Sequence, residues 1–265
     1  MTTTTEPAPV RAPLPSNLAG RTAVLLGGTS GIGLAAGELL AASGARIVLA
    51  GRDKARLDAA VGRVSAAGTA AEVHGMTADA TDEEALEAVF RRAGTVDHVL
   101  VTAGGPSGVG PITELTGDAV RAAIQTPAWT AAAVARAAVP HLAPGGSITL
   151  ASGILVARPR PGMTASISSA GAVETLARAL AVEFAPARVR VNAIRFGAMD
   201  TPLLRRNYGA AAGPEGDAAM AEAGRGLPLG RFGTAEEAAS AALFLMANTY
   251  MSGEVLTVDG GQSLL

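Results

Sequence analysis

The strongest chemical signal in the sequence is the run Leu26-Gly27-Gly28-Thr29-Ser30-Gly31-Ile32-Gly33. A short apolar stretch, Thr22 to Leu26, precedes it. A small-residue segment with helical spacing, Ile32 to Ala42, follows it. In that strand–turn–helix setting Gly27 permits a tight turn, Gly31 lets backbone approach a pyrophosphate, and Gly33 allows close helix–strand packing. With Thr29, Ser30 and Ile32 these glycines present N–H groups at the positive end of a helix, where a dinucleotide's phosphates bind. The alternative is a purely structural turn, which the flanking strand and helix do not require.

The second apolar stretch ends in Ala50-Gly51-Arg52. An acidic residue there would accept a hydrogen bond from a ribose 2′-OH and select NAD. None is present. The planar guanidinium of Arg52 suits a 2′-phosphate instead, which favours NADP(H) over NAD(H). The competing reading is a solvated Arg beside Asp53.

The elements that must position these residues follow from periodicity. Strands are predicted over Thr22–Leu26, Arg46–Ala50, Ala71–Met76, Asp97–Val101, Gly146–Ala151, Arg188–Ile194 and Glu254–Val258. Helices are predicted over Ile32–Ala42, Asp53–Ala67, Thr116–Val139 with a possible break at Pro127, and Ser166–Phe184. Thr81 reads as the N-cap of a helix whose apolar face is Leu86, Val89 and Phe90, and Thr234 as the cap of another. Gly197 to Leu229 mixes loop and helix signals. Strands alternating with helices predict an α/β fold with one doubly wound parallel sheet and helices on both faces. The domain is expected over 18–265, after a flexible Thr/Pro/Ala-rich tail over 1–17.

Composition narrows the function. Of the 265 residues 49% are hydrophobic and 3% aromatic, which fits a sheet buried on both faces. A formal net charge of −2 offers no basic field, so no nucleic-acid partner is expected. With Cys 0, disulfides, thiolate metal sites and a cysteine nucleophile are excluded. His74, His98 and His141 lack metal-ligand spacing, so no metal site is expected. No apolar run is long enough for a bilayer and no signal pattern opens the chain, so a cytoplasmic protein without a membrane partner is expected.

From about Leu18 to the C-terminus the chain resembles the short-chain dehydrogenase/reductase family. The residues that carry the likeness are the Gly27/Gly31/Gly33 loop, Asp79, Val101-Thr102-Ala103-Gly104, Arg190-Val191-Asn192-Ala193-Ile194, Gly197 with Thr201, and Gly253-Glu254 with Asp259-Gly260-Gly261. The resemblance implies a single Rossmann-type domain that binds a nicotinamide dinucleotide. Asp79 and Ala80 would lie by the adenine, Ala103 and Gly104 behind the cofactor, and Gly197 and Thr201 beside the nicotinamide. It also implies a homo-oligomer, expected to be a tetramer, built through the helices at Thr116–Val139 and Ser166–Phe184.

The catalytic positions depart from that family. Its Tyr-x-x-x-Lys pair falls on Ser166 and Ala170, its carbonyl-polarising Ser on Gly153, and its helix Asn near Pro127. No Tyr precedes Tyr208 and no Lys follows Lys54. A serine hydroxyl is too weak an acid to replace a phenol near neutral pH. The remaining candidate donors are Ser152, Ser166, Arg195 and Tyr208, with Thr164, Ser168 and Ser169 nearby. Each also has an ordinary reading: Ser166 as a helix N-cap, Ser168 and Ser169 bonded to backbone, Arg195 in a structural ion pair, Tyr208 as packing.

The reading is an NADP(H)-binding oxidoreductase with a non-standard proton relay, acting on a small organic substrate such as an iminium ion or activated enone. The alternatives are a non-redox enzyme on the same fold (a cyclase, isomerase, lyase or dehydratase) and a non-catalytic NADP(H)-binding protein.

Overall fold

The computed structural model describes residues 17–68, 72–105 and 107–265. The expected tail, 1–17, lies outside them except for Asn17, as does Ala71, where one predicted strand begins. The elements run β1 (Thr22–Leu26), α1 (Gly31–Ala42), β2 (Arg46–Gly51), α2 (Lys54–Ala66), β3 (Val73–Thr77), α3 (Glu83–Ala93), β4 (Val96–Val101) and α4 (Gly117–Ala138). They continue with β5 (Leu142–Gly153), α5 (Thr164–Glu183), β6 (Arg190–Phe196), β7 (Met199–Asp200), α6 (Pro202–Asn207), α7 (Pro214–Gly224), β8 (Gly233–Thr234), α8 (Ala235–Ala247) and β9 (Val255–Val258).

Seven strands form one parallel sheet in the order β3-β2-β1-β4-β5-β6-β9, and β7 pairs with β8 in a short second sheet. Every residue of β1 is buried, as a strand covered on both faces requires. Side chains alternate between two cores. Val24, Val48, Val99, Ile148 and Val191 pack under α3, α4 and α5. Leu25, Ile47, Leu49, Leu100 and Ile194 pack under α1, α2 and α8. The strand order reverses direction between β1 and β4, and in such sheets ligands bind at the carboxyl ends of the strands near that point.

α3 shows how local sequence sets an element. Leu86, Val89 and Phe90 are all 0% exposed, each contributing roughly 1.5–3 kcal/mol on burial. Glu83 and Glu84 lie in its first turn and Arg91 and Arg92 in its last, matching the helix dipole. Its N-cap is Asp82 rather than Thr81. The Asp82 carboxylate accepts from the N–H of Glu84 and Ala85, while the Thr81 hydroxyl is turned back to donate to Asp79.

Two other expectations are corrected. α4 runs unbroken through Pro127, because helix packing on both sides of it buries Ala123, Thr130 and Ala131 and holds the chain helical despite the missing N–H. α5 begins at Thr164 after the turn at Gly162, so Ser166 lies inside its first turns and is not its N-cap. Thr234 does cap α8, in a reciprocal capping box with Glu237. Among the described residues no helix is long and apolar enough to cross a membrane.

Candidate functional site

The carboxyl ends of β1 and β4 stand level, and β5 and β6 run on three residues past them to Gly153 and Phe196. Leu26 is paired with Val101, Val101 with Leu150, and Leu150 with Ala193. The loops that leave this edge therefore meet. The N–H groups of Thr102 and Ala103 both donate to the Leu26 carbonyl, at 2.8 and 3.0 Å. Gly27 has φ 92°, and a Cβ on it would stand 2.6 Å from the Ala103 nitrogen. A Cβ on Gly33 would collide with the carbonyl oxygen of Gly27. Thr29 lies against Gly51, where a Cβ would come within 2.6 Å of its methyl group.

Ser30 precedes α1 without a side-chain cap, and the first-turn N–H groups of Gly31, Ile32 and Gly33 have no side-chain acceptor among the described residues. Thr201, the cap of α6, packs over this loop. Its β-carbon is 3.4 Å from where a Cβ on Gly31 would stand. Leu203, in the next turn, approaches Gly105 in the same way at 3.5 Å. The arrangement is a slot floored by glycine backbone and closed on one side by the segment that follows Gly197. Gly197 itself has no room for a side chain, since a Cβ would stand 2.7 Å from Asp259, and Gln262 holds the neighbouring Ala198 N–H at 2.8 Å.

At the other end of the slot, Arg52 follows β2 exposed and without an ion pair among the described residues. Its positive charge acts on Asp79. Asp79 accepts from the N–H and hydroxyl of Thr81 at 2.9 and 2.8 Å, and these bonds hold its carboxyl below the usual range. Ala80 is buried beside it. Glycine backbone, open N–H groups and an uncommitted guanidinium fit a phosphorylated dinucleotide lying across the strand ends.

Of the four candidate donors, the structure brings two together. Ser152 and Arg195 are cross-strand partners on β5 and β6, and both side chains turn under α5. They meet at Glu174, a residue that is not among the sequence-predicted donors. Ser152 Oγ donates to Glu174 Oε1 at 2.7 Å, and Arg195 spans both carboxylate oxygens at 2.9 and 2.6 Å. The hydrogen bond to Glu174 raises the Arg195 pKa further, so this guanidinium stays charged. The signal was present in the sequence: Glu174 interrupts the apolar stripe of α5 and Arg195 interrupts a buried strand.

Ser166 and Tyr208 do not join this cluster. Ser166 is half-buried in the first turns of α5. Tyr208 is 53% exposed at the end of α6, with its ring 5.6 Å from that of Phe232. Ser168 donates to the Thr164 carbonyl, whereas the buried Ser169 hydroxyl has no partner among the described residues. Among the described residues no group of His, Asp or Glu is placed to hold a metal ion.

Residues 27–263 match the family described as enoyl-(acyl carrier protein) reductase. Carbonyl reductase family member 4 of Danio rerio is 33% identical over 251 residues, covering 92% of this chain and 99% of its own. Among solved structures, the MalC reductase/Diels-Alderase of Malbranchea aurantiaca superposes with a TM-score of 0.85 at 28% identity, over 94% of this chain and 99% of its own. An NADPH-bound short chain oxidoreductase from Pseudomonas aeruginosa PAO1, described as containing an atypical catalytic center, has a TM-score of 0.84 at 31% identity, over 91% and 96%.

Proposed function

This chain belongs to the short-chain dehydrogenase/reductase family, and from that premise we propose that it is an NADP(H)-dependent oxidoreductase of a small organic substrate with a non-standard proton relay. The observation that carries the reading is the glycine slot with Arg52 uncommitted at its end. Gly27, Thr29, Ser30, Gly31, Ile32 and Gly33 hold the pyrophosphate, Arg52 the 2′-phosphate, Asp79 and Ala80 the adenine side. Ala103, Gly104, Gly197 and Thr201 hold the nicotinamide side. The NADPH-bound Pseudomonas relative supports the choice of nucleotide.

Bound there, the nicotinamide gives or takes a hydride. The chain's own residues decide what else is available. Gly153, Ser166 and Ala170 are the positions onto which the family resemblance carries Ser, Tyr and Lys, and none is an acid near neutral pH. The Ser152 hydroxyl already donates its hydrogen bond to Glu174. A substrate that needs little help from an acid suits such a site. Hydride addition to the carbon of an iminium ion yields a neutral amine with no proton required, and an activated enone needs only late protonation.

Titration of the protein with NADPH and then NADH, followed by nicotinamide fluorescence and calorimetry, tests the reading. NADPH is expected to bind well ahead of NADH. No binding of either at about millimolar concentration, a free energy of only about −4 kcal/mol, overturns it. The MalC neighbour, a reductase and a Diels-Alderase by its own description, supports keeping a non-redox reaction as the second reading. That reading predicts product formation without NADPH consumption.

A further inference from the structure

Glu174 is 4% exposed and is the only carboxylate among the buried described residues. Three donors converge on it: Ser152 Oγ at 2.7 Å, Arg195 Nε at 2.9 Å and Arg195 Nη2 at 2.6 Å. Its partner Arg195 is held at 18% side-chain exposure and reaches Thr257 on β9 through Nη1 at only 3.4 Å. A buried ion pair of this kind seldom exceeds a well-packed apolar pair in stability, because desolvation offsets the attraction. Stability alone therefore does not account for it, whereas its location does.

Ser152 and Arg195 lie opposite one another at the carboxyl ends of β5 and β6. Past Arg195 the chain runs through Gly197 to Thr201, which packs on Gly31 of the glycine loop. Past Ser152 comes Gly153, and above it Ser152 Oγ approaches the Ala170 carbonyl of α5 at 3.4 Å. One carboxylate thus ties two strand ends to the middle of α5, and each tied segment borders the part of the slot nearest β5 and β6. Gly27, Arg52 and Asp79 follow β1, β2 and β3 on the far side, two, three and four strand spacings from β5, or roughly 10–19 Å.

We propose that Glu174 is a positioning residue for the nicotinamide half of the bound dinucleotide, acting through Ser152 and Arg195, and with no part in holding the adenine half. The proposal rests on the NADP(H) reading above. Without the carboxylate, the β6 end and α5 lose their common anchor, and the segment from Gly197 to Thr201 loses its fixed place over the ring.

The test compares two ligands on the full-length protein by calorimetry: NADPH, and 2′-phospho-ADP-ribose, which lacks the nicotinamide. The variants are Glu174→Gln and the double variant Glu174→Leu/Arg195→Met, which removes both charges and so keeps no unpaired ion in the core. In both variants NADPH is expected to weaken about tenfold or more while 2′-phospho-ADP-ribose stays within about twofold of wild type. The double variant is expected to melt close to wild type. A folded double variant with unchanged NADPH affinity, or with both ligands weakened alike, overturns the role of Glu174. A wild-type protein that binds neither ligand overturns the NADP(H) reading, and the inference with it.

Discussion

Gly27 and Ala103 meet so closely across the β1–β4 boundary that a methyl group on Gly27 would stand 2.6 Å from the Ala103 backbone nitrogen. The same residue has φ 92°, a conformation that penalises any side chain. The two demands coincide at the floor of the slot proposed for the nucleotide. Gly27→Ala is therefore expected to lose stability by about 1–3 kcal/mol and to lose NADPH binding more than that loss explains. Urea melts and calorimetry measure the two effects. An alanine variant that binds NADPH as the wild type does would show that this turn is not the phosphate floor.

Arg52 is the cation at the end of β2, exposed and unpaired among the described residues. If it meets the 2′-phosphate, Arg52→Ala removes a charge-assisted contact of about 1.5–3 kcal/mol, or roughly tenfold to hundredfold in NADPH affinity. NADH affinity is expected to stay unchanged, because NADH has no phosphate at that position. Equal losses for both nucleotides, or none, would return Arg52 to the role of a solvated surface residue.

The alternation of strands and helices was legible in the sequence because each element carries its own period. Strand ends were read less well, since tertiary pairing decides them: β5 extends to Leu142 and Gly153, and Arg188 lies in a left-handed turn before β6. The cap at Thr81 was misread because Asp79 claims its hydroxyl. The glycine slot was legible because its residues are contiguous. The Glu174 cluster was not, because its members lie on three elements that only the fold brings together. A charged residue on an apolar stripe was the available clue, and nothing in the sequence says which partner it finds.

His98 gives a pH dependence of known sign. It is buried on β4, its Nδ1 is 2.9 Å from Ser147 Oγ, and desolvation lowers its pKa from 6.5 to about 4. Above pH 6.5 the imidazole is neutral in both states and adds no slope. As pH falls from 6.5 towards about 4, the unfolded chain takes up a proton that the folded chain refuses, so stability falls. The full effect is on the order of 3 kcal/mol. His98→Gln is expected to flatten the urea midpoint across that window relative to wild type. An identical slope in the variant would mean that other groups set the acid sensitivity.

Arg190 on β6 is 7% exposed and has no carboxylate partner among the described residues. Its Nη1 donates to the carbonyls of Leu245 and Met251 at 2.8 and 3.1 Å, and Nη2 to that of Met246 at 2.9 Å. Leu245 and Met246 end α8, where carbonyls lack helical partners and favour a cation. Arg190→Met preserves the stem and strands the Leu245 and Met246 carbonyls, while that of Met251 keeps the Asn192 amide at 2.9 Å, so a loss of about 2–3 kcal/mol is expected in thermal or urea melts. A loss under about 0.5 kcal/mol, the ordinary range for surface substitutions, would show that water replaces the guanidinium freely.

If the family's Ser, Tyr and Lys fall on Gly153, Ser166 and Ala170, as the resemblance implies, the departures there can be reversed. A Cβ on Gly153 meets nothing within 4 Å, and Ser166 and Ala170 lie one turn apart and half-buried on α5. A side chain on Gly153 therefore has room. In the triple variant Gly153→Ser/Ser166→Tyr/Ala170→Lys, the new ammonium lowers the phenol pKa and the phenol supplies the proton that an alkoxide needs. NADPH-dependent reduction of a simple ketone is expected to rise by about 10²-fold or more over wild type, read as loss of NADPH absorbance. A wild type that already reduces the ketone at the triple variant's rate would mean that an acid outside these three positions serves the site. A triple variant that binds NADPH but gains nothing would mean that α5 no longer aims its first turns at the ring. The anchor at Glu174, just below Ala170, would then be the next place to look.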